Sequence, residues 1–373
     1  MSFAQIYQGK RVLVTGHTGF KGAWLTEWLL SLGAEVTGFA LPPPTTPSLF
    51  AQLRLSSRLL HIEGDIRDLS AVQAAVYASK PDFVFHLAAQ PLVRLSYSQP
   101  VETYATNVMG TVNILESIRL AGLPCSVVAI TTDKCYENKE WVHSYREEDP
   151  MGGYDPYSSS KGAAELVIAS FRRSYFSAAD SPIKLASARA GNVIGGGDWA
   201  LDRIVPDCMR ALSSGATIPV RNKIATRPWQ HVLEPLSGYL WLGACLNSSQ
   251  LSVFSSQLTS AFNFGPALAS NRTVAELVQE ILKHWPGKWD DQSDPLAHHE
   301  AQLLNLATDK AHHLIGWSPT WSFAETIAQT VNWYLEAKSA SLDFKALTTG
   351  QITNYTAAAK SAGLNWAVTP FSS

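Results

Sequence analysis

The stretch that decides the fold is Thr15-Gly16-His17-Thr18-Gly19-Phe20-Lys21-Gly22, near the start of a 373-residue chain. It follows the apolar, β-branched run Arg11–Thr15 and opens a helical pattern at Ala23. The three glycines allow a tight turn, a close approach of the backbone to a diphosphate, and close packing of the helix on the sheet. The helix N-terminus adds free N–H groups and the positive end of its dipole. The stretch therefore predicts a strand–turn–helix unit that binds a dinucleotide.

Further apolar runs alternate with helical patterns whose apolar residues recur every three or four positions. The runs lie at residues 35–39, 82–86 and 126–131, and the helical patterns at residues 23–32, 70–79 and 103–121. Near-continuous apolar strands joined by helices are typical of a parallel sheet that is covered on both faces. We therefore expect an α/β fold with a doubly wound parallel sheet, the Rossmann architecture, over residues 1–190.

The sequence changes in character after residue 190, where glycines, prolines and shorter helical stretches replace the regular alternation. We predict a smaller mixed α/β domain, made of residues 191–225 and 266–373, that binds the substrate. Residues 226–265 are expected to return to the first domain, because 261–265 is a further strand candidate.

Composition excludes several classes of partner. The chain has 29 Lys and Arg against 31 Asp and Glu, a formal net charge of -2, so it has no basic field for nucleic acid or an anionic bilayer. No apolar run approaches the roughly 18 residues that span a membrane. Cys125, Cys135, Cys208 and Cys245 have neither disulfide nor zinc spacing. The first strand begins too early for a signal peptide, so we expect a soluble cytoplasmic protein without a metal.

Candidate catalytic residues lie in two places: directly after the apolar run at 126–131, and at the start of the next long helical pattern. Tyr157 and Lys161 are four apart at the start of a helical pattern, so the ammonium can lie near the phenol and favour the phenolate. A phenolate can remove a hydroxyl proton while hydride leaves the same carbon. Thr132, Asp133 and Lys134 follow the run at 126–131, and residues at the carboxyl end of a parallel strand face the ligand crevice.

The type of dinucleotide is left open by the second strand. It ends Gly38-Phe39-Ala40-Leu41, with no acidic residue for a ribose diol and no basic residue for a 2′-phosphate. Asp65 and Ile66 lie where a third strand would end and are candidates for the adenine site. The same residues also fit a simple turn in which Asp68 caps a helix.

Eight stretches carry a resemblance to a known family: 15–22, 39–50, 86–90, 131–138, 157–161, 189–199, 227–231 and 299–301. On these residues the chain resembles the extended short-chain dehydrogenases/reductases and, among them, the nucleotide-sugar 4,6-dehydratases. The likeness covers most of the chain up to about residue 335. The glycine turn and the Tyr–Lys pair specify only the superfamily, whereas Thr131-Thr-Asp-Lys134 and Gly195-Gly-Gly-Asp-Trp199 are narrower.

The resemblance implies a reaction in which NAD oxidises C4 of a hexose, water is lost across C5 and C6, and hydride returns to C6. The C4 ketone is needed because it lets a carbanion at C5 delocalise as an enolate. Tyr157 would be the C4 base, and Lys161 would tune it and hold the nicotinamide ribose. Thr132 would hydrogen-bond the C4 oxygen, and Asp133, with a raised pKa, would protonate the departing C6 hydroxyl.

Lys134 departs from part of this family. Dehydratases of dTDP- and GDP-sugars have Glu at this position as the C5 base, and Lys is the variation of the CDP branch. Lys134 can be the base if burial or a nearby cation such as Lys161 lowers its pKa. Otherwise it would stabilise the enolate as a cation while another group takes the proton.

The resemblance also assigns binding residues and partners. Cofactor contacts are implied for Gly16, Thr18, Gly19, Phe20, Lys21, Gly22, Asp65, Ile66, Leu87, Ala88, Ala89, Asn107, Tyr157 and Lys161. Sugar-nucleotide contacts are implied for Gln90, Arg94, Thr132, Asn192, Arg227 and Glu300, with a surface ion pair as the alternative for Arg94 and Glu300. The implied partners are NAD, CDP-glucose and a second copy of the chain, paired through 103–121 and 162–176. The implied role is deoxysugar synthesis for O-antigen lipopolysaccharide.

Three other functions fit part of the pattern. Another nucleotide-sugar 4,6-dehydratase would share the fold and the Tyr–Lys pair. A UDP-hexose 4-epimerase would also share them but needs no acid or base at C5 and C6, so Asp133 and Lys134 disfavour it. A non-catalytic NAD-binding regulator is disfavoured by the intact Tyr157, Lys161, Thr132 and Asp133.

Overall fold

The structure is a computed structural model that describes residues 2–178, 180–248, 255–293, 303–339 and 341–368. Its strands are β1 (Arg11–Thr15), β2 (Glu35–Ala40), β3 (Leu60–Glu63), β4 (Phe83–His86), β5 (Cys125–Ile130), β6 (Ile183–Arg189), β7 (Val193–Ile194), β8 (Ile218–Val220), β9 (Thr226–Pro228), β10 (Gln230–His231), β11 (Ala261–Asn263), β12 (Asn271–Thr273) and β13 (Trp289–Asp291). Seven of them form one sheet in the order β11-β6-β5-β4-β1-β2-β3. All neighbours in this sheet are parallel, which confirms the doubly wound Rossmann fold.

The helices are α1 (Phe20–Ser31), α2 (Leu49–Gln52), α3 (Leu69–Ser79), α4 (Val93–Ser98), α5 (Pro100–Tyr104), α6 (Gly110–Ala121), α7 (Pro156–Tyr175), α8 (Ile204–Ser214), α9 (Leu233–Asn247), α10 (Ser255–Leu258), α11 (Val274–His284), α12 (Asp309–Ile315), α13 (Phe323–Glu336), α14 (Phe344–Ser361) and α15 (Asn365–Val368). The helix predicted at 103–121 is divided, because a π-helical turn over Ala105–Met109 separates α5 from α6. Helix α1 begins three residues earlier than the pattern at Ala23 indicated, directly after Gly19.

Both faces of the sheet are buried, which explains the near-continuous apolar strands. In β1, Val12 and Val14 pack into the core that contains α1 and α9, while Leu13 packs into the core on the opposite face with α3, α6 and α7. Strand β11 (Ala261–Asn263), within the strand candidate at 261–265, extends the sheet by pairing with β6.

The C-terminal helices contact the first part of the chain. Helix α14 packs on α1, and the rings of Phe3 and Trp366 stack with centroids 5.0 Å apart. The buried Glu234 at the start of α9 accepts N–H groups from Thr320 and Trp321 and the hydroxyl of Tyr355 in α14. The domain limits given from sequence stay a prediction, and these contacts join residues on both sides of them.

The described residues contain neither a membrane-spanning helix nor a cluster of metal ligands. Within the described ranges, none of the helices combines the length and the apolar character that crossing a bilayer requires. In the same part of the chain, no group of three His, Cys, Asp or Glu side chains is arranged to hold a metal ion. All four cysteines are buried and free.

Candidate active site

A large cleft runs along the carboxyl ends of β1, β4 and β5, where the strand order reverses between β1 and β4. Parallel α/β sheets bind ligands at this switch point. The cleft has a volume of about 2230 Å³, against roughly 300–1,000 Å³ for a pocket that holds one small ligand. It therefore has room for a dinucleotide and a second ligand side by side.

The glycine turn forms one wall of the cleft. Gly16 has φ +76°, and a Cβ built on it would lie 2.8 Å from the backbone nitrogen of Ala88. A Cβ on Gly22 would overlap the Gly16 carbonyl oxygen. Gly19 is the N-cap of α1, and among the described residues no side chain caps this helix end. The uncapped N–H groups and the close approach that the glycines allow fit the diphosphate of a dinucleotide.

The sequence left two interpretations of residues 65–68 open: an adenine site, and a turn in which Asp68 caps a helix. The structure contains features of both. Asp68 caps α3 through the N–H groups of Ser70 and Ala71, so the capping interpretation is confirmed. Asp65 and Ile66 also line the cleft, and Asp65 pairs with Arg67 at 2.6 Å. The two interpretations are therefore compatible.

The loop after β4 continues this wall. Leu87, Ala88, Ala89 and Gln90 line the cleft, and the N–H of Ala88 donates to the Thr15 hydroxyl at 3.2 Å. Asn107 is not among the residues that line the cleft. Its amide instead links the backbone of Gln90 to the hydroxyl of Ser160 in α7, so the structure gives it a bracing position behind the loop.

Asp133 lies at the centre of the catalytic group and is fully buried. Its Oδ1 accepts the Thr132 hydroxyl at 2.9 Å and lies 4.0 Å from Lys134 Nζ. Its Oδ2 accepts Asn192 Nδ2 at 3.3 Å. A Cβ on Gly191 would overlap this carboxyl, so the close approach requires glycine there. Both oxygens of the carboxyl are thereby oriented by their neighbours.

Tyr157 and Lys161 lie on one face of α7, which begins after an N-cap at Asp155. Burial raises the pKa of Tyr157 to about 12, while its hydrogen bond with Thr132 and the charge of Arg203 act in the opposite direction. Burial lowers the pKa of Lys161 to about 8, and its Nζ donates to the Ile130 carbonyl at 3.5 Å. In the protein alone the phenol is therefore protonated at neutral pH.

Glu165, which was not predicted from the sequence, extends the same helical face beneath Lys161. Its carboxylate is buried and accepts hydrogen bonds from Thr131, Ser187 and Arg189, the last at 2.8 Å. Its charge acts to raise the pKa of Lys161 against the effect of burial. The spacing of Tyr157, Lys161 and Glu165 at intervals of four could have indicated this residue.

The wall opposite the glycine turn contains the residues expected to bind the second ligand. Asn192, Arg94 and Arg227 all line the cleft. Arg94 Nη1 lies 3.8 Å from Asp202 Oδ1, the type of ion pair that the sequence left as an alternative. Arg203 also lines the cleft and was missed; its partner Asp198, at 2.9 Å, belongs to the Gly-Gly-Gly-Asp-Trp run. Glu300 lies outside the described residues.

Comparisons with known proteins show which family the chain belongs to. The family model for GDP-mannose 4,6 dehydratase matches residues 13–330. The chain is 49% identical to the CDP-glucose 4,6-dehydratase of Salmonella typhimurium, over 88% of this chain and 91% of that protein. It is 26% identical to a dTDP-glucose 4,6-dehydratase of Streptomyces antibioticus, over 88% of this chain and 93% of the relative.

Solved structures show the same fold. DesIV of Streptomyces venezuelae, a dTDP-glucose 4,6-dehydratase crystallised with NAD and TYD, has a TM-score of 0.74 and 25% identity, covering 87% of this chain and 97% of its own. A UDP-glucose 4-epimerase of Thermotoga maritima has a TM-score of 0.72 at 21% identity, covering 88% and 99%. The chain belongs to the nucleotide-sugar 4,6-dehydratase family of extended short-chain dehydrogenases/reductases, enzymes that depend on NAD.

Proposed function

We propose that this chain is a lyase that converts CDP-glucose to CDP-4-dehydro-6-deoxyglucose and water. The observation that carries the proposal is the juxtaposition of Asp133 and Lys134 after β5, an acid and an amine 4.0 Å apart, in the cleft that Tyr157 of α7 also lines. A simple oxidoreductase or an epimerase has no use for a second acid–base pair. Support for the cytidine nucleotide comes from the 49% identity to a CDP-glucose 4,6-dehydratase.

The first step is removal of the C4 hydroxyl proton. When bound, NAD supplies the hydride acceptor for C4 and the donor for C6, and its positive ring favours the phenolate of Tyr157. The phenolate oxygen takes the C4 hydroxyl proton, and the Thr132 hydroxyl orients the C4 oxygen. Tyr157, Thr132 and Lys161 are all at least nine-tenths buried, so water is largely excluded and electrostatic interactions are stronger than in solution.

The second step is loss of water from the resulting 4-ketohexose. The Lys134 proton passes to Asp133 first, so that Lys134 Nζ, then neutral, takes the C5 proton and the protonated Asp133 gives its proton to the departing C6 hydroxyl. The two groups are close enough to act on adjacent carbons of one hexose. The hydrogen bonds from Thr132 and Asn192 fix the direction of the Asp133 carboxyl, which supports its role as a positioned acid.

Substrate binding uses the two walls of the cleft. The uncapped start of α1 and the Gly16 turn would bind NAD, with Asp65 and Ile66 at its adenine. Arg227, Asn192 and Gln90 would contact the sugar nucleotide, since an arginine fork can donate two parallel bonds to a phosphate.

The proposed enzyme is a homodimer in the cytoplasm. Its product supplies deoxysugars for lipopolysaccharide. The support for the dimer is the exposure of large apolar side chains on the segments predicted to pair: Tyr104, Met109 and Leu166 are between 38% and 60% exposed. A dimer would cover these side chains. Leu166→Glu should yield a monomer in light scattering, and a wild-type monomer would contradict the dimer.

The function is tested by incubating the purified enzyme and NAD with CDP-, dTDP-, GDP- and UDP-glucose, and with GDP-mannose. We expect a 4-keto-6-deoxy product from CDP-glucose at a rate at least about tenfold above the others, since a polar mismatch at the base is costly. Products are identified by mass and NMR. Reaction of UDP-glucose alone, with an epimer as its product, would contradict the proposal.

A further inference from the structure

One oxygen atom of Asp133 lies next to both a hydroxyl group and an amine. Asp133 Oδ1 accepts the Thr132 hydroxyl at 2.9 Å, and Lys134 Nζ lies 4.0 Å from the same oxygen. The Lys134 backbone N–H also donates to the Thr132 hydroxyl oxygen at 3.4 Å. The other oxygen, Oδ2, accepts from Asn192. Oδ1 therefore connects the Thr132 hydroxyl to the Lys134 amine.

Tyr157 approaches the Thr132 hydroxyl from the other side. It lies at the start of α7, which packs closely on the turn Asp133–Cys135. A Cβ on Gly162 of this helix would lie only 3.1 Å from the Cys135 carbonyl oxygen. The phenol of Tyr157 is hydrogen-bonded to Thr132, and a hydroxyl group can accept one hydrogen bond while it donates another. The contacts therefore run without a gap from the phenol to the carboxyl.

The proposed reaction leaves one proton out of place at the end of each turnover. Tyr157 begins as a phenolate and ends protonated, because it keeps the proton of the C4 hydroxyl. Lys134 begins as an ammonium and ends neutral, because it gives one proton to Asp133, takes one from C5, and gives one back to C5 when hydride returns to C6. Asp133 begins and ends as a carboxylate, since the proton that it receives leaves in the water. The next turnover therefore needs one proton to move from Tyr157 to Lys134.

Bulk solvent has little access to the groups that must exchange this proton. Thr132, Asp133 and Tyr157 are each at most 8% exposed, and the Lys134 side chain is 23% exposed. A sugar nucleotide in the cleft would cover them further, and a site closed in this way restricts proton exchange with water. A path through the protein is therefore more direct than a path through solvent.

We propose that the proton that Tyr157 takes from C4 returns to Lys134 through the Thr132 hydroxyl and Asp133 Oδ1. The inference rests on the proposed function. The phenol O–H bond breaks as its proton passes to the Thr132 oxygen, and the Thr132 hydroxyl proton passes at the same time to Oδ1, so Thr132 carries no charge. The acid formed at Asp133 then gives this proton to the Lys134 amine. Tyr157 is again a phenolate, Asp133 a carboxylate and Lys134 an ammonium, and the protein has gained or lost no proton.

The charges of the site favour this direction of transfer. A phenolate is stabilised next to the positive ring of bound NAD, and an ammonium is stabilised next to the Asp133 carboxylate. The return path also gives the contact between Lys134 and Oδ1 a use in two steps: it charges Asp133 before water is lost, and it restores Lys134 afterwards.

The test compares the first turnover with later turnovers. Enzyme is preincubated with NAD and mixed rapidly with excess CDP-glucose, and the 4-keto-6-deoxy product is followed. Thr132→Val keeps the size of the side chain and removes the hydroxyl. We expect its later turnovers to be at least about tenfold slower than its first, the low end of the contribution of proton transfer by a positioned group. Only the later turnovers need the return path, since the phenol equilibrates with solvent during preincubation.

Imidazole, a small proton carrier, provides the second readout. At fixed pH and ionic strength it should accelerate the later turnovers of Thr132→Val and leave the first turnover unchanged. The wild type and Thr132→Ser, which keep the hydroxyl, should not respond to imidazole. A mere loss of orientation of the C4 oxygen would slow all turnovers of Thr132→Val equally.

Asn192→Gly is the matched control, because it removes the hydrogen bond to the other oxygen of Asp133 and leaves the return path intact. Its first and later turnovers should be slowed equally, without a response to imidazole. Later turnovers of Thr132→Val that are as fast as its first, or that do not respond to imidazole, overturn the inference. Thermal unfolding checks each variant, and Thr132→Ala replaces Thr132→Val if that protein does not fold. A wild type that forms no 4-keto-6-deoxy product contradicts the proposed function as well.

Discussion

Asn192 holds the Asp133 carboxyl from a left-handed backbone conformation, with φ +48° and with its Nδ2 3.3 Å from Asp133 Oδ2. A non-glycine residue rarely adopts this conformation, although Asn tolerates it better than most. The preceding Gly191 leaves no space for a side chain next to the same carboxyl. The strained residue therefore places an amide donor on the acid proposed for the C6 hydroxyl.

Two substitutions at Asn192 should separate the effect of its hydrogen bond to Asp133 from the effect of its strained backbone. Asn192→Gly suits the left-handed backbone and removes the amide, so we expect kcat to fall about tenfold, the value of one hydrogen bond, with the melting temperature nearly unchanged. Asn192→Ala should lose the same activity and also about 1 kcal/mol of stability. Steady-state kinetics and denaturant unfolding measure the two effects. Wild-type kcat in both variants would show that Asn192 does not position Asp133.

Lys134 is predicted to be the base at C5. Lys134→Met, incubated with CDP-glucose and NAD in deuterated water, should reduce solvent exchange at C5 on the order of 100-fold or more, the usual contribution of a general base. The matched control is Lys139→Met, which removes a lysine of the same loop whose Nζ lies 5.2 Å from the Trp141 ring centroid. Unchanged C5 exchange and turnover in Lys134→Met would refute a necessary role for this amine.

Two glycines with positive φ should respond differently to alanine. Gly122 has φ +62° and open space around a Cβ, whereas a Cβ on Gly16 would meet the Ala88 backbone. Gly122→Ala should therefore cost only the conformational penalty, about 1 kcal/mol. Gly16→Ala should cost more and also abolish measurable NAD binding. Chemical unfolding and calorimetry test this, and equal losses in both variants would contradict a requirement for close approach at Gly16.

Glu234 should make stability fall with rising pH. Burial raises its pKa to about 7, above the unfolded value near 4.5, so the folded state prefers the protonated acid. Its stabilising contribution is complete below about pH 4.5 and is lost as pH rises to 7, which amounts to about 3 kcal/mol at most. The unfolding free energy of the wild type minus that of Glu234→Gln should decline over this range.

Glu325 provides the control of opposite sign. Hydrogen bonds from the Ser322 side chain and backbone lower its pKa, so its contribution is present above pH 4.5 and is lost on acidification. The unfolding free energy of the wild type minus that of Glu325→Gln should therefore rise with pH. A flat difference for Glu234→Gln would show that the carboxylate is already satisfied by the N–H groups of Thr320 and Trp321.

The local sequence pattern predicted the fold correctly where a segment is regular and buried on both faces of the sheet. The run Arg11–Thr15 has the same limits in sequence and structure, because its apolar residues and the following glycines leave few alternatives. The division at Ala105–Met109 was not predictable, since a π-turn changes hydrogen bonding without changing the apolar spacing.

In the site, residues that lie in sequence motifs were predicted. Residues that depend on contacts with partners far along the chain were not. Tyr157, Lys161 and Asp133 lie in short recognisable runs. Lys21 was predicted only as a cofactor contact, and its hydrogen bond with Tyr239 was not predicted, because Tyr239 lies far along the chain. Arg203 depends on Asp198 in the same way. Tertiary packing decides which long side chains enter a cleft. This cannot be read from the spacing of residues in a single sequence.

The stacked rings of Phe3 and Trp366, 5.0 Å apart, bring the two ends of the described chain together on the side of α1. Chains with neighbouring ends tolerate circular permutation, since a short linker can join them and new termini can be opened at an exposed loop. A permutant opened at the exposed Gly122, where a Cβ would meet no atom within 4 Å, keeps every residue proposed for catalysis on uninterrupted elements.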